Sequence, residues 1–228
     1  MALWTARCCR FRPAPEPPLA TDVAAALATL RGADRTLGAV IDTVGMAAIA
    51  DPRRGYPRDH YGALVRAILG QQVSVAAAAA MYRRLLKRFG GRPPTPQEVL
   101  ADEPEALRTA AGLSRAKVGF LRSLAESVVD GELDLDALEQ QSDDEILGQL
   151  TAIKGIGAWT AQIFLMLHLE RPDVVASGDL AIRRAVMIAY GLDAPPASDE
   201  VDARAEGWRP YRTLACRVLW ASQAATPL

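Results

Sequence analysis

Two glycines between two helical segments constrain this chain more than any other feature. In residues 150–179, LTAIKGIGAWTAQIFLMLHLERPDVVASGD, the string Lys154-Gly155-Ile156-Gly157 interrupts the helical pattern. Ser142 and Glu145 form an S-x-x-E capping pattern, which predicts a helix to about 150. Trp159, Ile163, Phe164 and Leu167 recur at helical spacing, which predicts a second helix from Ala158 to about His168. Glycine adopts backbone angles that other residues resist, and it lets an anion come close to the main chain. The second helix would then point its unpaired N–H groups and positive dipole end at that anion. A tight helix–helix turn explains the same two glycines, so the flanks have to decide.

The rest of the chain reads as helix too. Half its 228 residues are hydrophobic, aromatic residues are few, Ala and Leu dominate, and strand-like alternation is hard to find. The expected fold class is all-α. Helices are predicted at about 22–31, 34–49, 59–69, 75–89, 103–111, 115–129, 180–190 and 210–222. Thr95-Pro96-Gln97-Glu98 combines a capping box with proline at the first helical position. Residues 1–18 read as a flexible Pro-rich tail, and residues 51–59, 170–178 and 193–200 as loops. No convincing internal repeat is present. No apolar run approaches the ~20 residues of a membrane span. The N-terminus lacks a signal-peptide pattern, so the expectation is a cytoplasmic protein without membrane contact.

Cysteine and histidine usage limits the cofactors. Cys8 and Cys9 are adjacent in the tail and Cys216 lies alone in the last predicted helix. Such an odd, scattered set reads as reduced thiols. It leaves too few ligands for a four-cysteine iron–sulfur cluster within one chain. His60 and His168 lack cysteine partners at ligand spacing, so zinc is not expected. Net charge is only −1, but residues 53–122 hold 13 Lys/Arg against 5 Asp/Glu, and residues 123–150 hold none against 9. That asymmetry suggests one basic face for an anionic partner; ordinary solvated helix faces carry such runs as well.

The flanks of the hairpin carry a resemblance. L-x-x-I-K-G-I-G-x-W-T-A, followed by V-x-x-x-x-D-L-x-I-R-R, resembles the helix-hairpin-helix DNA glycosylase superfamily, and within it the AlkA-like 3-methyladenine DNA glycosylase II family. AILGQQVSVAAA (67–78), AGLSRAKVGFLRSLA (111–125) and GWRPYRTLACRVLW (207–220) resemble three further family segments in family order. The resemblance implies a two-lobed helical protein with a DNA cleft between the lobes. One lobe would hold residues 55–173, with the helix-hairpin-helix motif at about 143–168. The other would join residues 19–54 to 174–228. The expectation is a compact version that lacks the N-terminal β domain of longer members.

The resemblance also implies roles. Asp179 stands where the family has its catalytic aspartate. Cleavage of a base–sugar bond builds positive charge on the sugar, which a carboxylate stabilises while orienting the attacking water. Asp179 also fits a plain helix N-cap, and one rotamer does not easily serve both tasks. Trp159 replaces the Schiff-base lysine of bifunctional members, which implies a monofunctional enzyme that leaves an abasic site. Trp220 matches a pocket aromatic, whose electron-rich face suits a cationic alkylated base. Trp159 and Ile163 would join it in the base pocket, and core packing is the bland alternative for both tryptophans. Trp208 reads as structural. Gly178 and Ile163 depart from the better-known member and put fine substrate preference in doubt. Gln72 occupies the wedge position that fills the gap left by a flipped base. Gly155, Gly157, Ala158 and Thr160 would hold the DNA backbone. The carbonyls of Thr151, Ile153 and Ile156 would hold a sodium or potassium ion with no chemical role, and no cofactor would be required for catalysis. The implied activity is excision of N3- or N7-alkylated purines from double-stranded DNA by a monomer. A non-catalytic DNA-binding module, or a glycosylase for another lesion class, remains the alternative.

Overall fold

The computed structural model describes residues 20–45, 49 and 56–225. The tail at 1–18, with Cys8 and Cys9, and most of the loop expected at 51–59 lie outside the described residues. Among the described residues there are twelve α-helices and no strand. They are α1 (Ala20–Ala33), α2 (Arg35–Val44), α3 (His60–Gly70), α4 (Val75–Arg88), α5 (Pro96–Ala101), α6 (Pro104–Ala111) and α7 (Arg115–Val129). After a 3-10 turn at Leu135–Gln140 come α8 (Asp143–Ala152), α9 (Ala158–Leu167), α10 (Leu180–Tyr190) and α11 (Ser198–Ala205). A second 3-10 turn, Glu206–Trp208, precedes α12 (Arg212–Ala225).

Local chemistry sets most of these boundaries. Asp34, Asp59, Ser74, Thr95, Glu103, Ser114, Ser142 and Asp179 each accept a first-turn N–H with a side-chain oxygen. Each such bond satisfies a donor that would otherwise lack a helical partner. Gly112 and Gly191 close α6 and α10 in the left-handed conformation. Three expectations need correction. α2 stops at Val44 rather than 49, because Gly45 turns the chain with φ 71° and its N–H returns to Ile41. Residues 193–200 are not all loop: α11 starts at Ser198, and Val201 and Ala205 bury its inner face. The last helix begins at Arg212 rather than near Pro210.

The helices pack in two sets. α1, α2, α10, α11 and α12 pack on one another, as do α3 to α9. One set therefore unites the two ends of the chain, and the other is its middle. Leu27, Leu37, Ile41, Ile182, Val186 and Leu219 are buried in the first; Leu64, Ile68, Leu85, Leu121, Ile146 and Phe164 are buried in the second. A fully buried side chain of this size contributes about 1.5–3 kcal/mol. Asp34 ties the first set together, accepting from Trp208 Nε1 at 2.9 Å and from the Tyr190 hydroxyl. The strand-less link from α9 to α10 is pinned at several points. Asp173 pairs with Arg209 and Arg212, Thr213 Oγ1 donates to Arg171 O at 2.6 Å, and Ser177 Oγ donates to Asp202 Oδ2 at 3.1 Å. This bracing brings the chain rigidly to Asp179.

The basic stretch is mostly occupied within the fold. Arg88, Arg92 and Arg108 pair with Asp102, Glu98 and Glu105. Arg84 and Arg122 donate to main-chain carbonyls, Arg66 lies over Tyr56 and Tyr82, and Lys117 is buried. Asp102, Glu98 and Glu105 belong to the same stretch, so its 13 Lys/Arg against 5 Asp/Glu still leave an excess of basic residues. Among the described residues no helix is long and apolar enough to cross a membrane.

Candidate active site

Asp179 lies where the two helix sets meet. Its Oδ1 accepts from Ala181 N at 2.9 Å and Ile182 N at 3.0 Å, capping α10. Trp220 Nε1 of α12 donates to the same oxygen at 3.2 Å. Trp159 Nε1 of α9 donates to Oδ2 at 2.8 Å. One rotamer therefore serves the cap and still presents a second oxygen, contrary to the expectation that the two tasks exclude each other. A carboxylate has about four lone-pair sites, two on each oxygen. Three donors crowd Oδ1, and Oδ2 holds one. The free side of Oδ2 is the face a reacting group can use. Asp179, Trp159 and Trp220 are half-buried, while Gly178 and Leu180 beside the carboxylate are exposed. The site is thus rigid behind and open in front. Trp208, by contrast, is fully buried and serves Asp34.

The α8–α9 hairpin stands next to this carboxylate through Trp159. Ile153 and Ile156 are buried and anchor the turn, and Ile156 N donates to Ile153 O at 3.0 Å. No side chain caps α9: its N-cap is Gly157, and Gly157 and Ala158 are exposed. The first-turn N–H groups of α9 thus face outward with the positive end of the helix dipole. A side chain at Gly157 would meet nothing within 4 Å. That open space above bare N–H groups suits a phosphate oxygen.

Gln72 follows the end of α3. It is exposed, and its φ of 54° is rare for a residue with a side chain. Val73 and Val75 beside it are exposed as well, at 39% and 82%.

The site thus joins a carboxylate framed by two indoles, an open helix start and an exposed turn. The description "HhH-GPD superfamily base excision DNA repair protein" matches residues 65–210. The chain belongs to that superfamily. It is 34% identical over 165 residues to DNA-3-methyladenine glycosylase 1 of Schizosaccharomyces pombe, covering 72% of each chain. It is 31% identical over 172 residues to DNA-3-methyladenine glycosylase 2 of Escherichia coli, covering 72% of this chain and 57% of that one. The solved structure of the S. pombe 3-methyladenine DNA glycosylase Mag1 in complex with abasic DNA superposes with a TM-score of 0.80. That match has 32% identity, over 86% of this chain and 95% of Mag1.

Packing sets the surroundings of four further predicted site residues in this HhH-GPD protein. Thr160 is 2% exposed and its Oγ1 accepts from Gln71 Nε2 at 2.9 Å, so its side chain is not a DNA contact. Gly155 has φ 92°, and a side chain there would strike the Phe120 ring at 2.1 Å. Its missing side chain makes room for Phe120. Ile163 is 5% exposed and lies in the core. Thr151 is exposed, and its hydroxyl donates to Leu147 O at 2.7 Å. Gln71 and Lys117 carry no sequence signal of a shared role. Gln71 neighbours Gln72 and Lys117 lies in AGLSRAK, but neither string shows that they meet.

Proposed function

We propose that this HhH-GPD protein is a monofunctional DNA glycosylase that hydrolyses the N-glycosidic bond of flipped-out N3- or N7-alkylpurines in double-stranded DNA. The carrying observation is the Asp179 carboxylate, held between two indoles with one side of Oδ2 unfilled. As the glycosidic bond breaks, positive charge grows on the sugar, and a fixed carboxylate beside it stabilises that charge without reorganising. The same oxygen orients or deprotonates the attacking water. Alkylation at N3 or N7 makes the base cationic and labile, so it departs with little protein acid. The Trp220 and Trp159 faces attract such a cation by about 0.5–2 kcal/mol. Trp159 has no amine, so no Schiff base forms at that position and the product is an abasic site.

The N–H groups of Gly155, Gly157 and Ala158 are assigned to the DNA backbone and Gln72 to the gap left by the flipped base. The carbonyls of Thr151, Ile153 and Ile156 are assigned to a sodium or potassium ion. Ile153 O accepts one hydrogen bond, which leaves its second lone pair for a cation. That ion shapes the hairpin and takes no part in the chemistry. Replacing it with a large organic cation weakens DNA binding; unchanged binding removes the assignment.

The test is base release from duplex oligonucleotides bearing N3- or N7-alkylated purines, by wild type and Asp179→Asn, each with and without hot alkali. The reading requires release by wild type, little by the variant, and strand breaks only after alkali. Breaks without alkali overturn the monofunctional assignment. DNA binding without release from any lesion replaces the enzyme with a binding module.

A further inference from the structure

We propose that Gln71 and Lys117 are positioning residues that lock the Gln72 turn onto the α8–α9 hairpin, so that the DNA wedge and the phosphate grip act as one body. The proposal rests on the reading of Gln72 as the wedge. Lys117 on α7 is 8% exposed, and its ammonium donates to Ile68 O at 2.9 Å, Leu69 O at 2.8 Å and Gln71 O at 2.9 Å. An ammonium has three donors, and all three are spent on carbonyls at and just past the end of α3, one of which, Ile68 O, also accepts from Gln71 N. Gln71 then reaches across with its amide. Its Nε2 donates to Gly155 O at 2.8 Å and to Thr160 Oγ1 at 2.9 Å. The next residue is Gln72, exposed at φ 54°.

The chemistry of the tie points to geometry as its purpose. Burying a cation costs free energy unless every donor is satisfied, and apolar side chains of similar size often hold a fold equally well. Lys117 and Gln71 instead spend five hydrogen bonds on one short turn and one hairpin. Those bonds fix direction, which packing alone does poorly. They hold Gln72 in a backbone conformation that a free turn would abandon. They also set its distance from the bare start of α9. Extrusion of a base needs both parts at once, one gripping the backbone while the other enters the stack.

The experiment compares single-turnover excision of one alkylated purine in two settings: paired within a duplex, and unpaired in a single-nucleotide bulge of the same sequence. A paired base must be unstacked at a cost of a few kcal/mol, and an unpaired one costs less. Gln71→Leu, Lys117→Met and Gln72→Ala are measured, with urea denaturation of each. The expected result is a loss of about tenfold or more on the paired lesion and less than about threefold on the bulged one. Gln71→Leu combined with Gln72→Ala should be no slower than Gln72→Ala alone, since both act through one wedge. Equal losses on the two substrates, or full additivity, would mean a general structural role and overturn the proposal. A wild-type rate for Gln72→Ala on the paired lesion removes the wedge reading and the proposal with it. A paired-substrate loss in Gln72→Ala without one in Gln71→Leu removes the proposal alone. Should Lys117→Met fail to fold, Gln71→Leu carries the test by itself.

Discussion

Asp34 and Asp179 are built almost alike. Each caps a helix with Oδ1, on Thr36 and Leu37 N in one case and on Ala181 and Ile182 N in the other. Each accepts an indole N–H on Oδ2, from Trp208 at 2.9 Å and from Trp159 at 2.8 Å. They part in what surrounds Oδ2. The Tyr190 hydroxyl is a second donor to that oxygen in Asp34, and the indole it meets is fully buried. In Asp179 the second donor, Trp220, goes to Oδ1 instead, and the neighbouring residues are exposed. Burial pushes the Asp34 carboxyl up, but hydrogen bonds from Trp208, Tyr190 and the Leu37 and Thr36 N–H groups outweigh it and hold the pKa below the usual value. Each carboxylate accepts four hydrogen bonds, but Asp34 divides them evenly between its oxygens, whereas Asp179 takes three on Oδ1 and leaves Oδ2 with one.

Exchange to asparagine separates the two most strongly. Asp179→Asn removes the charge proposed to face the sugar, and base release should fall by about 10²–10³-fold. Stability changes little, since asparagine caps as well as aspartate and the half-buried Trp159 N–H retains access to solvent. Single-turnover release together with urea denaturation checks both halves; retained activity with lost stability would make Asp179 a mere cap. Asp34→Asn should do the reverse. Its amide turns a donor toward the Trp208 and Tyr190 donors, costing about 1–3 kcal/mol of stability, while release per folded molecule stays at the wild-type level.

The indole partners sharpen the contrast at smaller scale. Trp159→Phe deletes the donor to Oδ2, and release should drop by roughly tenfold, about the worth of one hydrogen bond to a charged group. Trp208→Phe should instead lower the urea midpoint by a comparable free energy, with kcat unchanged. The smallest effect is on acid stability. Because the folded pKa of Asp34 lies below its unfolded value, its contribution is present above about pH 3.9 and is lost as pH falls through the folded pKa. Melting temperature followed from pH 5 down should fall less steeply for Asp34→Asn than for wild type. Parallel curves would show that this carboxylate is not linked to folding.

Much of this was legible in the chain. The S-x-x-E and T-P-x-E strings mark α8 and α5 where they occur, because a capping box closes within four residues. The hairpin glycines and Asp179 lie within one short stretch, so their order and spacing are visible as letters. α11 was not legible: its N-cap Ala197 has no side-chain cap, and only Val201 and Ala205 turn inward. Nor was pairing within the charge run legible: Arg88 and Asp102 stand 14 positions apart, and only the fold brings α4 to the end of α5.

The sequence by itself determined the all-α class, most helix starts and stops, and the place of the hairpin, because those depend on interactions between residues a few positions apart. Only the tertiary structure decided which groups remain open for work. Trp159 and Trp220 reach Asp179 from 20 and 41 positions away, and Gln71 reaches Gly155 from 84. The fold turned Thr160 inward to hold Gln71, gave the space beside Gly155 to Phe120, and left Gly157 bare. Whether a polar atom is spent or available depends on every neighbour that packing brings to it, and adjacent letters do not record those neighbours.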